Sequence, residues 1–240
     1  MWPFSESDTP VAPGTLPAHP YYPLGVHIVD YAANKWGVPT LLAYFGTGCA
    51  AIFAVSNVLV ARVRPGLPIS EVLTIFWFML CTGIHFFFEG YFATNFYRMG
   101  GLQTLFGQLW KEYAMSDSRY LTMDPFVVCM ETITAAFWGP LSAVLTYMIL
   151  TEHPFRHPLQ IIVSLGQLYG DVLYYATSLF DDFLLGKTYS RPEPYYYYGY
   201  FVFMNAFWII IPLWLIARSV KASAKAARAL KTLESERKAI

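Results

Sequence analysis

Apolar residues along this chain fall into blocks, and the blocks are too long for the buried face of a soluble helix. Residues 1–38 are polar and proline-rich and predict an exposed arm, with a short interfacial helix over Val26 to Trp36. Pro39 to Ala61 is the first apolar block, closed by Arg62-Val63-Arg64-Pro65-Gly66. The second runs from Glu71 to Phe92, and an aromatic and polar connection follows over 93–125. Asp124-Pro125 has the form of a helix start, with proline at the first helical position, and opens a third block over Phe126 to Leu150. The basic turn His153 to Pro158 separates it from a fourth, Leu159 to Phe180. A loop rich in Pro and Tyr, Asp181 to Tyr196, precedes a fifth block, Tyr197 to Ala217, with Pro212 as an expected kink. Val220 to Ile240 reads as an Ala- and Lys-rich polar helix or tail. Each block approaches the roughly 20 residues that cross a bilayer core. The expected fold is all-α: an integral membrane bundle of five transmembrane helices (39–217) between the arm (1–38) and a basic tail (218–240). No internal repeat is visible, which disfavours a transporter built from inverted repeats.

Composition agrees. Hydrophobic residues make up 56% and charged residues 13%, against about 25% charged in soluble domains. Lys plus Arg and Asp plus Glu balance at 16 each, so nothing points to a nucleic-acid partner. Aromatics at 18% are enough for interfacial belts and for lining an apolar pocket. Cys49, Cys81 and Cys129 all fall inside expected spans, which argues against disulfides and a thiolate metal site. The first twenty residues lack the basic and apolar regions of a cleavable signal, so the first span is expected to act as an uncleaved anchor. Lys and Arg concentrate beside Arg62, Arg156 and the tail, which predicts a cytoplasmic C-terminus. The end Arg237-Lys238-Ala239-Ile240 has the form of a dibasic retrieval signal of the endoplasmic reticulum.

Candidate chemistry lies inside the spans. His85 and Glu89 are four apart and meet on one helix face. Ionisable residues at such depth are costly and mark function by default. With the predicted topology His85, Glu89, Glu131, Thr134, Asn205 and Trp208 all fall within about 5–17 Å of the same membrane face, at roughly 1.5 Å per residue. They come from three helices, and their agreement in depth predicts one polar-lined cavity. Asp171, one turn after Gln167 and near the middle of its span, is placed to brace it. Taken singly, each residue has a plainer reading: Glu131 as a structural acid, Thr134 and Asn205 as interhelical hydrogen-bonders, Trp208 as packing. Asp117-Ser118-Arg119 reads most simply as a loop salt bridge.

Several stretches together are similar to a known family. They are Gly83-Ile84-His85 through Glu89-Gly90, Gln108-Leu109-Trp110-Lys111-Glu112-Tyr113-Ala114, Asp117-Ser118-Arg119-Tyr120, and Val128-Cys129-Met130-Glu131-Thr132-Ile133-Thr134-Ala135. Trp138-Gly139-Pro140-Leu141, Gly166 through Tyr174, and Tyr200 through Trp208 follow in order. The chain thereby resembles the emopamil-binding protein family, the sterol Δ8–Δ7 isomerases of the endoplasmic reticulum membrane and part of the EXPERA superfamily, over about residues 70–215. The resemblance implies a five-helix protein enclosing a sterol pocket. Its substrate would be a Δ8-sterol bearing a 3β-hydroxyl, and cationic amphiphilic drugs would occupy the same pocket. It assigns proton handling to His85, Glu89 and Glu131, and substrate contact to Thr134, Asn205 and Trp208, with Gln167 and Asp171 in support.

An alkene without an adjacent carbonyl has no enolate route. Protonation at C9, a tertiary cation at C8 and proton loss from C7 is the direct path. His85 backed by Glu89 would supply the proton and Glu131 would accept one, although the two roles are exchangeable at this stage. Trp208 would face the cation through its ring, while Thr134 and Asn205 would orient the carboxylates. No metal, nucleotide or redox cofactor is required, since the conversion is isoelectronic. Two rivals stand beside this reading: a non-catalytic sterol-binding protein on the same scaffold, and a proton-coupled transporter. The preferred sterol side chain, the role of Asp171, and whether two copies form a homodimer stay open.

Overall fold

The computed structural model describes residues 19–238, and among them every regular element is helical. Four helical runs are long and apolar enough to cross a membrane: Val38–Val63, Ile69–Gly101, Pro125–Leu150 and Tyr195–Lys238. The protein is therefore a multi-pass membrane protein. In order, α1 is Val38–Val63, with proline in its first turn. The second run comprises α2 (Ile69–Cys81), a π-helical stretch Thr82–Glu89, α3 (Gly90–Asn95) and a 3₁₀ turn to Gly101. The connection that follows is not featureless. It holds α4 (Leu105–Tyr113) and a 3₁₀ turn over Ser118–Leu121. The Thr104 hydroxyl caps α4 by accepting from the Gly107 N–H at 3.1 Å. The third run opens as expected, with the Asp124 carboxylate accepting from the Val127 N–H at 3.0 Å. It comprises α5 (Pro125–Ile133), a second π-helical stretch Thr134–Trp138, and α6 (Gly139–Leu150). α7 (Arg156–Leu185) ends at Gly186, whose φ of 64° needs no Cβ. A third π-helical stretch, Tyr195–Met204, leads into α8 (Asn205–Lys238), which continues unbroken past Pro212 and through the expected tail.

α7, expected to be the fourth span, is not among the four apolar runs. Its 30 residues are long enough, but its inward face is polar. His157, Gln160, Ser164, Gln167, Asp171, Tyr174 and Ser178 follow one another at alternating spacings of three and four, so they form a single stripe. All but His157 are buried. Lipid-compatible residues such as Ile162, Leu165, Val172 and Phe180 are exposed on the other side.

Two apolar clusters hold the bundle. One, at the end where α4 lies, gathers Phe92, Trp110, Tyr120, Val127, Tyr174 and Phe201. The other, toward the α8 tail, gathers Ile75, Phe78, Cys81, Leu145, Val163 and Leu215. On each of the four central helical runs, the candidate site residues lie between a residue of one cluster and a residue of the other. α1 packs beside α2 and α4 and leaves Phe53, Val55 and Val58 exposed.

The described part of the N-terminal arm, residues 19–37, is neither free nor helical. It is a strap sewn onto α4. The Tyr21 hydroxyl donates to the Lys111 carbonyl at 2.9 Å, and Asn34 Nδ2 donates to the Gln108 carbonyl at 2.9 Å. Gln108 Oε1 accepts from the N–H groups of Lys35 and Trp36 at 2.7 and 2.9 Å. Proline and polar residues had suggested an exposed segment; backbone groups partnered by Gln108 and Lys111 hold it down instead. Residues 1–18, and the last two residues of the dibasic end, lie outside the described region.

Lys111 is fully buried and its ammonium donates to the Ala32 carbonyl at 2.6 Å, with no carboxylate partner among the described residues. Burial lowers its pKa from 10.5 to about 8. Between those two values the unfolded chain holds a proton that the folded chain has released, so stability from this group rises with pH across that window. Thermal unfolding in detergent, followed from pH 7.5 to 10, should show a steeper upward slope for the native chain than for Lys111→Met. Identical slopes would show that Lys111 is not the group responsible.

Candidate active site

The three π-helical stretches occur where helices approach the centre of the bundle. π-bulges arise mostly at functional positions because the extra residue re-aims neighbouring side chains. Here the first carries His85 and Glu89, the second begins at Thr134, and the third ends immediately before Asn205. The first packs against the start of α6, just after the second: a Cβ at Gly139 would stand 2.8 Å from the Phe86 nitrogen. Only glycine permits that approach.

His85 is the centre of the arrangement. Its Nδ1 lies 2.9 and 2.8 Å from the two oxygens of Glu89. Its Nε2 meets Gln167 Nε2 at 3.0 Å and the Trp208 indole N–H at 3.4 Å. Two N–H donors aimed at Nε2 fit the tautomer with Nε2 unprotonated and the Nδ1 proton directed to Glu89. The Gln167 Oε1 has no partner among the described residues. A half-turn of that amide would offer Oε1 to a protonated Nε2 in place of the N–H. Gln167 thus serves both protonation states of the imidazole.

Glu131, buried to 4% exposure, is held by a residue that sequence reasoning did not place in the site. The Tyr120 hydroxyl donates to Glu131 Oε1 at 2.7 Å. The expected orienting bonds from Thr134 and Asn205 to the carboxylates are not present. Thr134 donates to the Met130 carbonyl at 2.7 Å, and the Asn205 amide engages the Tyr113 hydroxyl and the Phe201 carbonyl. Trp208 packs against Trp77 with ring centroids 5.3 Å apart and gives its N–H, not its face, to His85.

All eight sequence-selected residues, His85, Glu89, Glu131, Thr134, Gln167, Asp171, Asn205 and Trp208, border one cavity of about 210 Å³. Apolar and aromatic side chains complete the wall, among them Leu41 and Phe45 of α1, Phe88, Trp110 and Trp138. Glu112 also reaches it, accepting from the Tyr200 hydroxyl at 3.2 Å, and burial raises its pKa. Tyr113, Tyr120 and Glu112 come from the connection between spans. Their signal was present as the motifs around Trp110 and Arg119, but nothing in the local pattern says that a loop folds back onto a membrane-embedded pocket. The arrangement offers two carboxyl groups and an imidazole for proton transfer, inside an apolar enclosure.

Tyr120→Phe tests the hold on Glu131. A hydrogen bond to a charged group is worth about 1.5–3 kcal/mol, so kcat should fall about 10- to 100-fold. Affinity for an amphiphilic ligand should change little. Unaltered kcat would mean that Tyr120 has no bearing on the carboxylate.

Comparison with known proteins adds a separate line. The model of the EXPERA family (expanded EBP superfamily) matches residues 105–219. The 3-beta-hydroxysteroid-Delta(8),Delta(7)-isomerase of Cavia porcellus is 40% identical over 222 residues, which cover 91% of this chain and 94% of that protein. The protein of the same name from Mus musculus is 39% identical over 209 residues, covering 86% and 89%. A probable 3-beta-hydroxysteroid-Delta(8),Delta(7)-isomerase of Oryza sativa subsp. japonica is 32% identical over 206 residues, covering 85% and 91%.

Proposed function

This chain belongs to the expanded EBP (EXPERA) superfamily, and from that premise we propose that it is a sterol isomerase moving the ring double bond of 3β-hydroxysterols from Δ8 to Δ7. The observation that carries the mechanism is the contact set of His85: a carboxylate on one ring nitrogen, and an amide able to serve either protonation state on the other. Protonated His85, charge-balanced by Glu89, delivers a proton to C9 as the electrons of the C8–C9 double bond form the new C–H bond. A tertiary cation remains at C8. Glu131, oriented by Tyr120, takes a proton from C7, and the C7–H electrons close the new double bond. One proton is gained and one lost. The apolar wall keeps water from trapping the cation, and the neighbouring carboxylates stabilise it electrostatically. Cationic amphiphilic drugs mimic that cation and are expected to compete with sterol.

The same reading places the protein in the endoplasmic reticulum membrane with α7 as a fifth span and the α8 tail in the cytoplasm. A helix with a polar inward stripe crosses when that stripe faces the bundle and not lipid. Incubating the purified protein with a Δ8-sterol, and identifying the product by mass spectrometry against a Δ7 standard, tests the activity. Saturable sterol binding without conversion would favour the non-catalytic member of the same superfamily.

A further inference from the structure

The tail-end part of the α7 stripe, from His157 to Ser164, does not line the cavity, yet it stays polar and leads up to Gln167, which does. Gln160 and Ser164 are completely buried and Gln167 is buried to 4% exposure. Among the described residues, Gln160 Oε1, Ser164 Oγ and Gln167 Oε1 have no hydrogen-bond partner, and neither has Ser142 Oγ on α6. This sets Ser142 and Ser164 apart from other hydroxyls in the spanning helices. Ser56, Thr74, Thr82, Thr134 and Thr146 each donate to the carbonyl four residues back. Burying polar atoms without partners is unfavourable, and such atoms in native proteins are met by ordered water. Neighbours three or four apart on a helix have Cβ atoms about 5–6 Å apart, a gap that a single water bridges. One end of the series is His157, half-buried at the tail end of the bundle and 3.2 Å from Ser219 Oγ. The other end is Gln167, in contact with His85.

We propose that His157, Gln160, Ser164 and Gln167 hold a file of water that connects His85 to the aqueous phase at the tail end of the bundle, so that the proton given to C9 is drawn from solvent. The proposal rests on the isomerase reading. Each turnover leaves His85 one proton short and Glu131 one proton in excess. The balance is restored either by direct return from Glu131 through Glu89, or by exchange with water. The file provides exchange: the excess proton on Glu131 passes through Glu89 to His85, resetting both groups, and once on His85 it exchanges along the file with bulk water, so the proton that left C7 is not handed to the next substrate.

The test uses full-length protein in lipid nanodiscs, ordinary water, and a Δ8-sterol carrying deuterium at both C7 positions. The native protein should yield Δ7-sterol with deuterium retained at C7 and ordinary hydrogen at C9. Ser164→Val fills the space and removes the hydroxyl. It should keep turning over by direct return, while the share of product deuterated at C9 rises at least tenfold. Should that variant not fold, Gln160→Met, similar in volume and apolar, reads the same quantity. Deuterium at C9 in the native protein, or label washed out equally by a folded variant, would overturn the proposal. Absence of any Δ7 product from the native protein would instead overturn the isomerase reading.

Discussion

Glu131→Gln is expected to lower the rate of Δ8 to Δ7 conversion by about a hundred- to ten-thousandfold, the usual cost of removing a positioned general base. The substitution is informative because so little else changes. Glutamine has the same length, and its amide oxygen can still accept from the Tyr120 hydroxyl that bonds Glu131 Oε1 at 2.7 Å. The wall of the cavity keeps its shape. What disappears is the capacity to accept a proton from C7. Ligand binding should survive, so displacement of a labelled cationic amphiphile gives a measure of folding independent of turnover. Sterol product is quantified by mass spectrometry. Turnover at the native rate would remove Glu131 from the role of base and leave His85 with Glu89 to perform both steps.

Arg119→Met should prevent recovery of a stable protein. Arg119 is 1% exposed and Asp117 is 0% exposed. The guanidinium Nε reaches both Asp117 oxygens at 3.0 Å, and Nη2 reaches Oδ2 at 2.6 Å. Nη1 donates to Thr177 Oγ1 at 2.8 Å. The group also lies between two tyrosine rings, 5.0 Å from the centroid of Tyr174 and 5.3 Å from that of Tyr189. Removing one member of a buried pair leaves the other charge uncompensated, at a cost of about 3–5 kcal/mol. That is a large share of the 5–15 kcal/mol that typically separates folded from unfolded chains. Size-exclusion chromatography and thermal unfolding in detergent should show aggregation or a greatly lowered midpoint. The double change Asp117→Asn with Arg119→Met should recover part of the loss, because no lone charge stays buried. A single variant melting with the native protein would show that the pair does not hold the connection in place.

Arg119 also illustrates where sequence reasoning reached and where it stopped. The apolar blocks located four spans, and the depth of His85, Glu131 and Asn205 within those blocks led to one cavity, because depth is counted residue by residue along a helix. α7 was legible by length, although its polar face keeps it out of a purely apolar tally. Asp117 and Arg119 were read as a loop salt bridge, and two opposite charges close in sequence carry no sign of burial. Here Tyr174, Tyr189 and Thr177 enclose them, and all three are distant in sequence. Tyr120 follows directly in the same turn, and its hydroxyl bonds Glu131. The π-helical stretches had no counterpart in the pattern of residues. They arise from packing, as Gly139 against Phe86 shows, and packing between helices is invisible to periodicity within one. For the same reason, the strap over residues 19–37 was read as free.

Pro212 has no N–H, so the carbonyl of Trp208, four residues back, goes without its helical partner. α8 nevertheless runs as one element from Asn205 to Lys238, about 50 Å at 1.5 Å per residue. The outer portion is therefore a long lever whose weakest joint lies at the indole that bonds the imidazole. Whatever grips that lever, whether a fusion partner, an antibody or a crystal support, applies its torque beside the candidate site. Tags intended to be silent are better attached elsewhere.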